Sequence, residues 1–421
     1  MAKNDILEFL YGLQMFGIKL GLENSYELLQ SVDNPQNSYG IVHVAGTNGK
    51  GSVCTFMREI LTQAGYRVGT YTSPHLHEFN ERITVNGQAI DDDDLTTLVE
   101  ELRDKNTHCQ ATFFEFTTAL ALLYFARQNV DIVLLEVGMG GRLDATNVVQ
   151  PLVSVITPVS RDHVSYLGDN LADIAAEKGG IIKSSTPVVI GPQQLEVEQL
   201  LRDIAVKNHC DTWVSGKDFK CEPVGGCFTV TTPCNRWPGL KPKLVGAHQG
   251  DNAAVALMTL EVLAGQGFPV ANAAVKQGIS QAFWPGRLEW WPNVDPAVLL
   301  DGAHNIAGAK VLAEYLVSQE LRHIRWVGGF KIDKDVPAIL NALLPLTQKF
   351  YGVAPPVEEP YPLDSVQQQV KAIGVEAQNY CNIGLALQAA QQDCLHGEIV
   401  VVAGSLFLVA ACREYLNSVG E

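Results

Sequence analysis

Short apolar runs rich in β-branched residues alternate along this chain with stretches whose apolar residues recur at helical spacing. IVHVA (41–45) is the first run and reads as a buried parallel strand. Val53, Phe56, Met57, Ile60, Leu61 and Ala64 then line one face of a helix over 53–65, which Gly65 is placed to end. YRVGTYTSP reads as a second strand, and the near-continuous apolarity of 114–128 predicts a deeply buried helix. DIVLLEVG (131–138), LVSVITPVS (152–160) and TPVVIG (186–191) are further buried strands. Residues 6–31 look helical with a break around Gly17–Gly21, and 248–267 form a helix with a Gly-rich exit.

This alternation is the mark of an α/β fold with a parallel sheet. The stretch 210–245 departs from it. It holds Cys210, Cys221, Cys227 and Cys234, Trp213, Trp237 and short runs such as CFTVTTP, and predicts a small antiparallel excursion. After WPGRLEWWPNVDP (284–296) the alternation resumes with AVLL, a helix over 306–319, and the strands IRWVGGF, KFYGVAP and EIVVVAGS. The expected architecture is an N-terminal phosphate-loop domain with a parallel sheet over 1–290. A smaller C-terminal Rossmann-like α/β domain follows over 291–421. The charge run Asp91–Asp94 reads as a solvated turn or helix start.

Composition narrows the function. A chain of 421 residues is long for a single core. With 47% apolar and 18% charged residues it has ample material to bury. The net charge of −16 disfavours a nucleic-acid partner and requires any anionic substrate to be met by a local positive site. Nine scattered cysteines with no CxxC pair, and an N-terminus without a signal pattern, point to a reduced, cytoplasmic protein. No apolar run is long enough to suggest a membrane span.

The strongest local signal is G46-T-N-G-K-G-S52, set between the first strand and the helix after it. Glycines let backbone N–H groups close around phosphate oxygens, the helix N-terminus adds partial positive charge, and Lys50 adds a full one. The loop departs from G-x-x-x-x-G-K-[ST], since Gly51 stands where the cation-binding hydroxyl is expected. Either Ser52 or a hydroxyl from elsewhere, with Ser73 in TYTSPHL the best candidate, must serve the cation.

Glu136 ends the strand DIVLL. The carboxyl ends of parallel strands face the ligand crevice, so Glu136 is placed for Mg²⁺, the alternative being a structural salt bridge. His163 in SRDHVSYLG is a second metal candidate, with Asp162 beside it to orient the loop. Lys178 in AAEKGGIIK reads locally as solvent-facing. DGAHN (301–305) again follows an apolar strand and opens a helix. Asp301 can accept from a ribose, and His304 and Arg287 could reach phosphates, for which the planar guanidinium fork is suited.

The set VAGTNGKGS, YTSPHLHEFNERI, FFEFTTALAL, LLEVGMGGRLDATN, DHVSYLG, EKGGIIK, GDNAAVAL, PGRLE, DGAHN and VVAGSLFLVA resembles the folylpolyglutamate synthase/dihydrofolate synthase family of Mur-type ATP-dependent amide ligases. The resemblance runs from about residue 17 to about 411, with SPHL…ERI and LEVGMGGRLDATN specific to the folate branch. It implies that Thr47, Asn48, Gly49, Lys50, Gly51 and Ser52 hold the ATP phosphates, with Asn252, Arg287 and Asp301 on the rest of a nucleotide lying between the domains. It implies that Ser73, Glu136 and His163 bind Mg²⁺, two ions in all, with K⁺ as a further candidate ion. Lys178 matches the family's carbamylated lysine, which reverses the local reading. The pterin-bearing substrate would meet Lys19, Leu20 and Gly21, the loop 73–82 with Arg82, then Thr112, Phe113, Phe114 and Glu115, and Leu143, Asp144 and Ala145. Lys50, Lys178 and His304 are the implied catalytic residues. Lys19 stands where many relatives carry an acidic residue, and Gly179 where alanine is common.

The implied reaction joins L-glutamate to dihydropteroate or to a reduced folate through an acyl phosphate, in a monomer that meets only small molecules. A monofunctional folylpolyglutamate synthase is the alternative. A Mur-type peptidoglycan ligase is disfavoured because only 45 residues precede Gly46, too few for a UDP-binding domain. A phosphate-loop kinase or GTPase would not need DGAHN.

Overall fold

The computed structural model describes residues 3–17, 21–105, 110–162, 164–168, 170–291 and 294–420. The apolar runs become neighbouring strands because each is buried on both faces and must pair on both edges. The strands of the first sheet are β1 (Gly40–Ala45), β2 (Val68–Tyr71), β3 (Ile83–Val85), β4 (Gln88–Ala89), β5 (Ile132–Glu136), β6 (Val153–Ile156), β7 (Val188–Ile190) and β8 (Thr212–Val214). Their order is β4-β3-β2-β5-β1-β6-β7-β8. All pairs are parallel except β2–β3 and β3–β4, an antiparallel edge hairpin.

β1 thus sits between β5 and β6, with Val44 beside Glu136 and Ala45 beside Ile156. The phosphate loop, Glu136 and the loop after β6 therefore leave the sheet at the same, carboxyl end. One face of the sheet, carrying Ile41, Val133, Leu135, Ala45, Ile156 and Ile190, packs on the helices Lys3–Gly12, Glu23–Gln30, Asp92–Lys105 and Phe113–Arg127 and, beside them, on Leu171–Gly179 and Leu195–Lys207.

A second, three-stranded antiparallel sheet joins β9 (Lys220–Val224), β10 (Cys227–Thr231) and β11 (Arg236–Leu240). The expected excursion over 210–245 is therefore shorter. Thr212–Val214 belongs to the large sheet, in register with Val188–Ile190, because TWV is apolar enough to pair beside β7. A six-stranded sheet of order β12-β13-β17-β14-β15-β16 follows, built from β12 (Glu289–Trp291), β13 (Val298–Asp301), β14 (Ile324–Gly328), β15 (Thr347–Val353), β16 (Glu376–Tyr380) and β17 (Ile399–Ala403). Trp326 centres its core, edge-to-face with Phe330 and Phe350.

The chain divides into two compact units, residues 1–160, 167–243 and 249–283, and residues 161–166, 244–248 and 284–421. The first helix ends at Gly12 and runs into a 3₁₀ turn over Leu13–Phe16, and the next described helix starts at Glu23; residues 18–20 of the expected break lie outside the described residues. Asp91 accepts from Asp94 N at 2.7 Å, so the acidic run opens a helix. No helix among the described residues is long and apolar enough to cross a membrane, and the described cysteines are all free thiols.

Candidate active site

The phosphate loop begins with Gly46 at φ +148° and turns into its helix through Gly49 at φ +90°. Both values lie where only glycine is comfortable. A Cβ on Gly46 would collide with Thr157 Oγ1, and one on Gly49 would stand 2.6 Å from Asn252 Oδ1. Asn252 is buried and donates to Gln249 Oε1 at 3.0 Å, which fixes the amide over the loop. The start of the loop is tied down. Thr47 N and Asn48 N donate to Pro158 O at 2.9 and 3.3 Å, and Thr47 Oγ1 donates to Ser160 O at 2.9 Å. Gly51 and Ser52 lie in the first turn of the helix Lys50–Gln63, whose leading N–H groups have no intrahelical acceptor.

Lys50 donates to Gly46 O at 3.3 Å and Thr47 O at 3.4 Å, and its Nζ lies 3.7 Å from Glu136 Oε1. Lys178 is only 5% exposed, although it sits in the last turn of its helix, and donates to Gly46 O at 2.9 Å. The structure therefore brings Lys50, Glu136 and Lys178 together at the loop. The solvent-facing reading of Lys178 from its neighbours fails because the helix Leu171–Gly179 turns that side inward beneath the loop. Ser73 follows β2 by two residues and precedes the cis Pro74. His163 lies outside the described residues.

A divalent cation fits this donor set. A buried carboxylate, a serine hydroxyl and phosphate oxygens are the hard ligands Mg²⁺ or Mn²⁺ takes, and a carbamate on Lys178 would add another. Among the described residues no group of three or more His, Cys, Asp or Glu stands together.

The residues assigned to the acceptor fall on connected elements. Arg82 is buried, donates from Nε to His75 Nδ1 at 2.8 Å, and lies 5.2 Å from the Phe113 ring centre. Burial, then the Arg82 charge, lowers the His75 pKa to about 4, consistent with a neutral acceptor. Thr112 and Glu115 cap the helix Phe113–Arg127 reciprocally, Glu115 Oε2 accepting from Thr112 N at 2.7 Å and Thr112 Oγ1 from Glu115 N at 3.4 Å. T-x-x-E is the spacing of a capping box. Phe113 stacks on Tyr11 at 5.9 Å and Phe114 leans on Tyr71 at 6.0 Å. Leu143, Asp144 and Ala145 sit in the loop after β5, where the Asp144 carboxylate accepts from Met139 N at 2.9 Å and Thr146 N at 3.0 Å. Gly21 has φ +153°, and Lys19 and Leu20 lie outside the described residues.

In the second unit Asp301 closes its own turn, accepting from Leu288 N at 2.8 Å and Ala303 N at 2.9 Å. Burial raises its pKa, and Arg287, the largest opposing influence, lowers it. Arg287 lies against Gly302, where a Cβ would stand 2.8 Å from Nη1. His304 Nδ1 is 2.7 Å from Gly302 O, which only accepts, so Nδ1 carries a proton. Its Nε2 lies 3.6 Å from Asp162. Asp162 also receives Asn305 Nδ2 at 3.0 Å and Lys334 Nζ at 2.8 Å. Lys334 and Asn305 had no candidate role in the sequence.

Residues 44–260 match the Mur ligase middle domain, and residues 289–415 match the dihydrofolate synthetase C-terminal domain. A dihydrofolate synthase/folylpolyglutamate synthase of Bacillus subtilis (strain 168) is 40% identical over 350 residues, covering 80% of this chain and 81% of that protein. Escherichia coli FolC in complex with DHPP and ADP superposes with a TM-score of 0.91 at 28% identity, covering 99% of this chain and 98% of that one. A bifunctional folylpolyglutamate synthase/dihydrofolate synthase with Mn, AMPPNP and L-glutamate bound superposes at 0.88 with 30% identity, covering 98% of each chain.

Proposed function

Since the chain belongs to the dihydrofolate synthase/folylpolyglutamate synthase family of ATP-dependent Mur-type ligases, we propose that it joins L-glutamate to dihydropteroate, giving dihydrofolate, and to reduced folates, lengthening their glutamate tail. The convergence of Lys50, Glu136 and Lys178 on the phosphate loop carries this reading. A carboxylate oxygen of the acceptor attacks the γ-phosphorus of ATP, ADP leaves, and an acyl phosphate forms. The glutamate amine then attacks the acyl carbon, phosphate leaves, and the amine releases a proton. Phosphoryl transfer of this kind needs positioning and charge neutralisation more than covalent help.

Lys50 and the first turn of its helix supply fixed positive charge at the phosphates. Thr47, Asn48 and Gly49 would shape the cradle, and Asn252, which lies against Gly49, would meet the nucleotide. Arg287 and His304 are the second unit's candidates for contact with nucleotide phosphate, and Asp301 for the ribose. A divalent cation, when bound, neutralises phosphate charge, and Ser73, Glu136 and His163 would hold it. Lys178 would join them after its amine adds CO2 and loses a proton, becoming a carbamate. The acceptor would meet Gly21, Arg82, Thr112–Glu115 and Leu143–Ala145. The monomeric state, a cytoplasmic setting and a K⁺ requirement belong to the same reading and are open to sedimentation, fractionation and salt titration.

The test is an acceptor panel of dihydropteroate, tetrahydrofolate and methylene-tetrahydrofolate with ATP and L-glutamate, read by product mass. Glutamate-dependent ADP release with a folate acceptor is expected. ADP release only with a UDP-sugar acceptor would move the protein to the peptidoglycan branch.

A further inference from the structure

Behind the loop 138–147 runs a buried hydrogen-bond chain that the scheme above does not use. His43, in the middle of β1 with 0% exposure, places Nε2 2.9 Å from Thr146 Oγ1. Thr146, equally buried, places that oxygen 2.5 Å from Asp144 Oδ1. Asp144 also takes backbone N–H groups on both oxygens, Thr146 N on Oδ1 and Met139 N on Oδ2. The carboxylate is thus the acceptor at the end of the chain. The single Thr146 proton goes to Asp144, so the Thr146 oxygen must accept from His43, whose proton sits on Nε2. Burial, with Lys183 adding to it, lowers the His43 pKa to about 3, in keeping with a neutral ring.

The His43 Nδ1 is buried with no hydrogen-bond partner among the described residues. A buried acceptor without a donor is unfavourable, and an aliphatic side chain would fit a strand flanked by Val42 and Val44 without that cost. What the imidazole supplies is the donor to Thr146. The other side of the same loop is held by the helix Leu171–Gly179 and the residue after it. Arg142 N donates to Glu177 O at 2.8 Å, and Asn147 Nδ2 donates to Gly180 O at 3.1 Å. One carboxylate therefore closes the segment 139–146 on itself, and the strand and the helix support it from either side.

We propose that His43 is a positioning residue for the acceptor: through Thr146 it fixes Asp144, and Asp144 holds the loop in the shape that receives the ring end of a pteroate or folate. The inference rests on the reading that Leu143–Ala145 meet the acceptor.

Two disrupting variants, Thr146→Val and His43→Leu, and two conservative ones, Thr146→Ser and His43→Gln, test this in the full-length protein. Steady-state assays with ATP, glutamate and dihydropteroate should show KM for the acceptor raised about tenfold in the disrupting pair, Thr146→Val losing a hydrogen bond to a charged group and His43→Leu one between neutral groups. KM for ATP and for glutamate should stay unchanged, and the conservative pair should return acceptor KM close to wild type. Amide hydrogen exchange of the free protein should speed up over 138–147 in the disrupting pair alone. Unchanged acceptor KM, or an equal rise in all three KM values, would overturn the proposal. If Thr146→Val does not fold, His43→Leu against His43→Gln gives the same contrast, and failure of both disrupting variants to fold would mark the chain as a brace for the whole unit and overturn its role in positioning. Wild-type protein inactive with every folate acceptor would instead remove the functional reading, and the exchange experiment would still report on the chain itself.

Discussion

Lys50 and Lys178 donate to one and the same oxygen, the carbonyl of Gly46, at 3.3 and 2.9 Å. They reach it from opposite ends of two helices, Lys50 from the start of Lys50–Gln63 and Lys178 from the last turn of Leu171–Gly179. Two ammonium groups sharing an acceptor repel each other in a partly dry site, and Lys50 has the Glu136 carboxylate in ion-pair range, at 3.7 Å. The pair is built so that changing the charge on one lysine is felt by the other.

Replacing Lys50 by alanine removes the only full charge within the phosphate loop. Turnover should fall by about 10²–10³-fold or more, the range seen when one preorganised transition-state donor is lost. ADP release, followed with acceptor and glutamate present, measures it. The melting temperature should fall as well, since the buried Glu136 carboxylate loses the cation 3.7 Å from it.

If Lys178 works as a carbamate, activity should depend on dissolved CO2. Stripping bicarbonate should lower the rate and adding it back should restore it, and labelled CO2 should give a carbamate carbon resonance that Lys178→Ala lacks. In Lys178→Ala, acetate should rescue part of the rate. A wild-type rate indifferent to CO2 would leave Lys178 acting as an ammonium.

His43 makes acid stability predictable. Its folded pKa of about 3 lies below its ordinary value of 6.5. The unfolded chain therefore binds the proton that the folded one refuses, and stability is present above pH 6.5 and lost as pH falls toward 3. A fully buried group inside that window costs up to about 1.4 kcal/mol per pH unit. His75 and His248, both lowered to about 4 by burial, act in the same direction. Urea unfolding of wild type and His43→Gln at pH 7 and pH 5 checks the sign: the variant should lose less stability over that step.

Gly49→Ala should weaken nucleotide binding and stability together. Its Cβ would be 2.6 Å from Asn252 Oδ1, and its φ of +90° is strained for any other residue. About 1–3 kcal/mol of backbone strain is expected, and Asn252→Ala combined with Gly49→Ala should recover the steric part but not the backbone part. Melting temperatures of the two single variants and the double variant separate the terms.

The sequence made the central strands and the phosphate loop legible because burial on both faces leaves an unbroken apolar run. It was less informative where a strand is polar or short. Glu376–Tyr380 pairs only on one edge, so EAQNY needs no apolar run, and Gln88–Ala89 is held by a turn. Thr212–Val214 was hidden among cysteines and turn residues. At the site, Glu136 was readable from its place at the end of a strand, whereas the burial of Lys178 depends on how its helix is rotated, which residues next to it in sequence do not encode. Asp162, Asn305 and Lys334 are brought together by the fold from places 143 and 172 residues apart, a relation no local pattern carries.

The bonds from Thr47 and Asn48 to Pro158 O also bear on how the protein would treat its own product. The loop's opening turn is set by the strand beside it, so its shape does not wait for a γ-phosphate. A cradle formed in advance grips ADP with the same donors it offers ATP, and discrimination between them falls to whatever meets the terminal phosphate. ADP should therefore compete with ATP directly, and the enzyme's rate would follow the cell's ratio of the two nucleotides as well as the supply of folate.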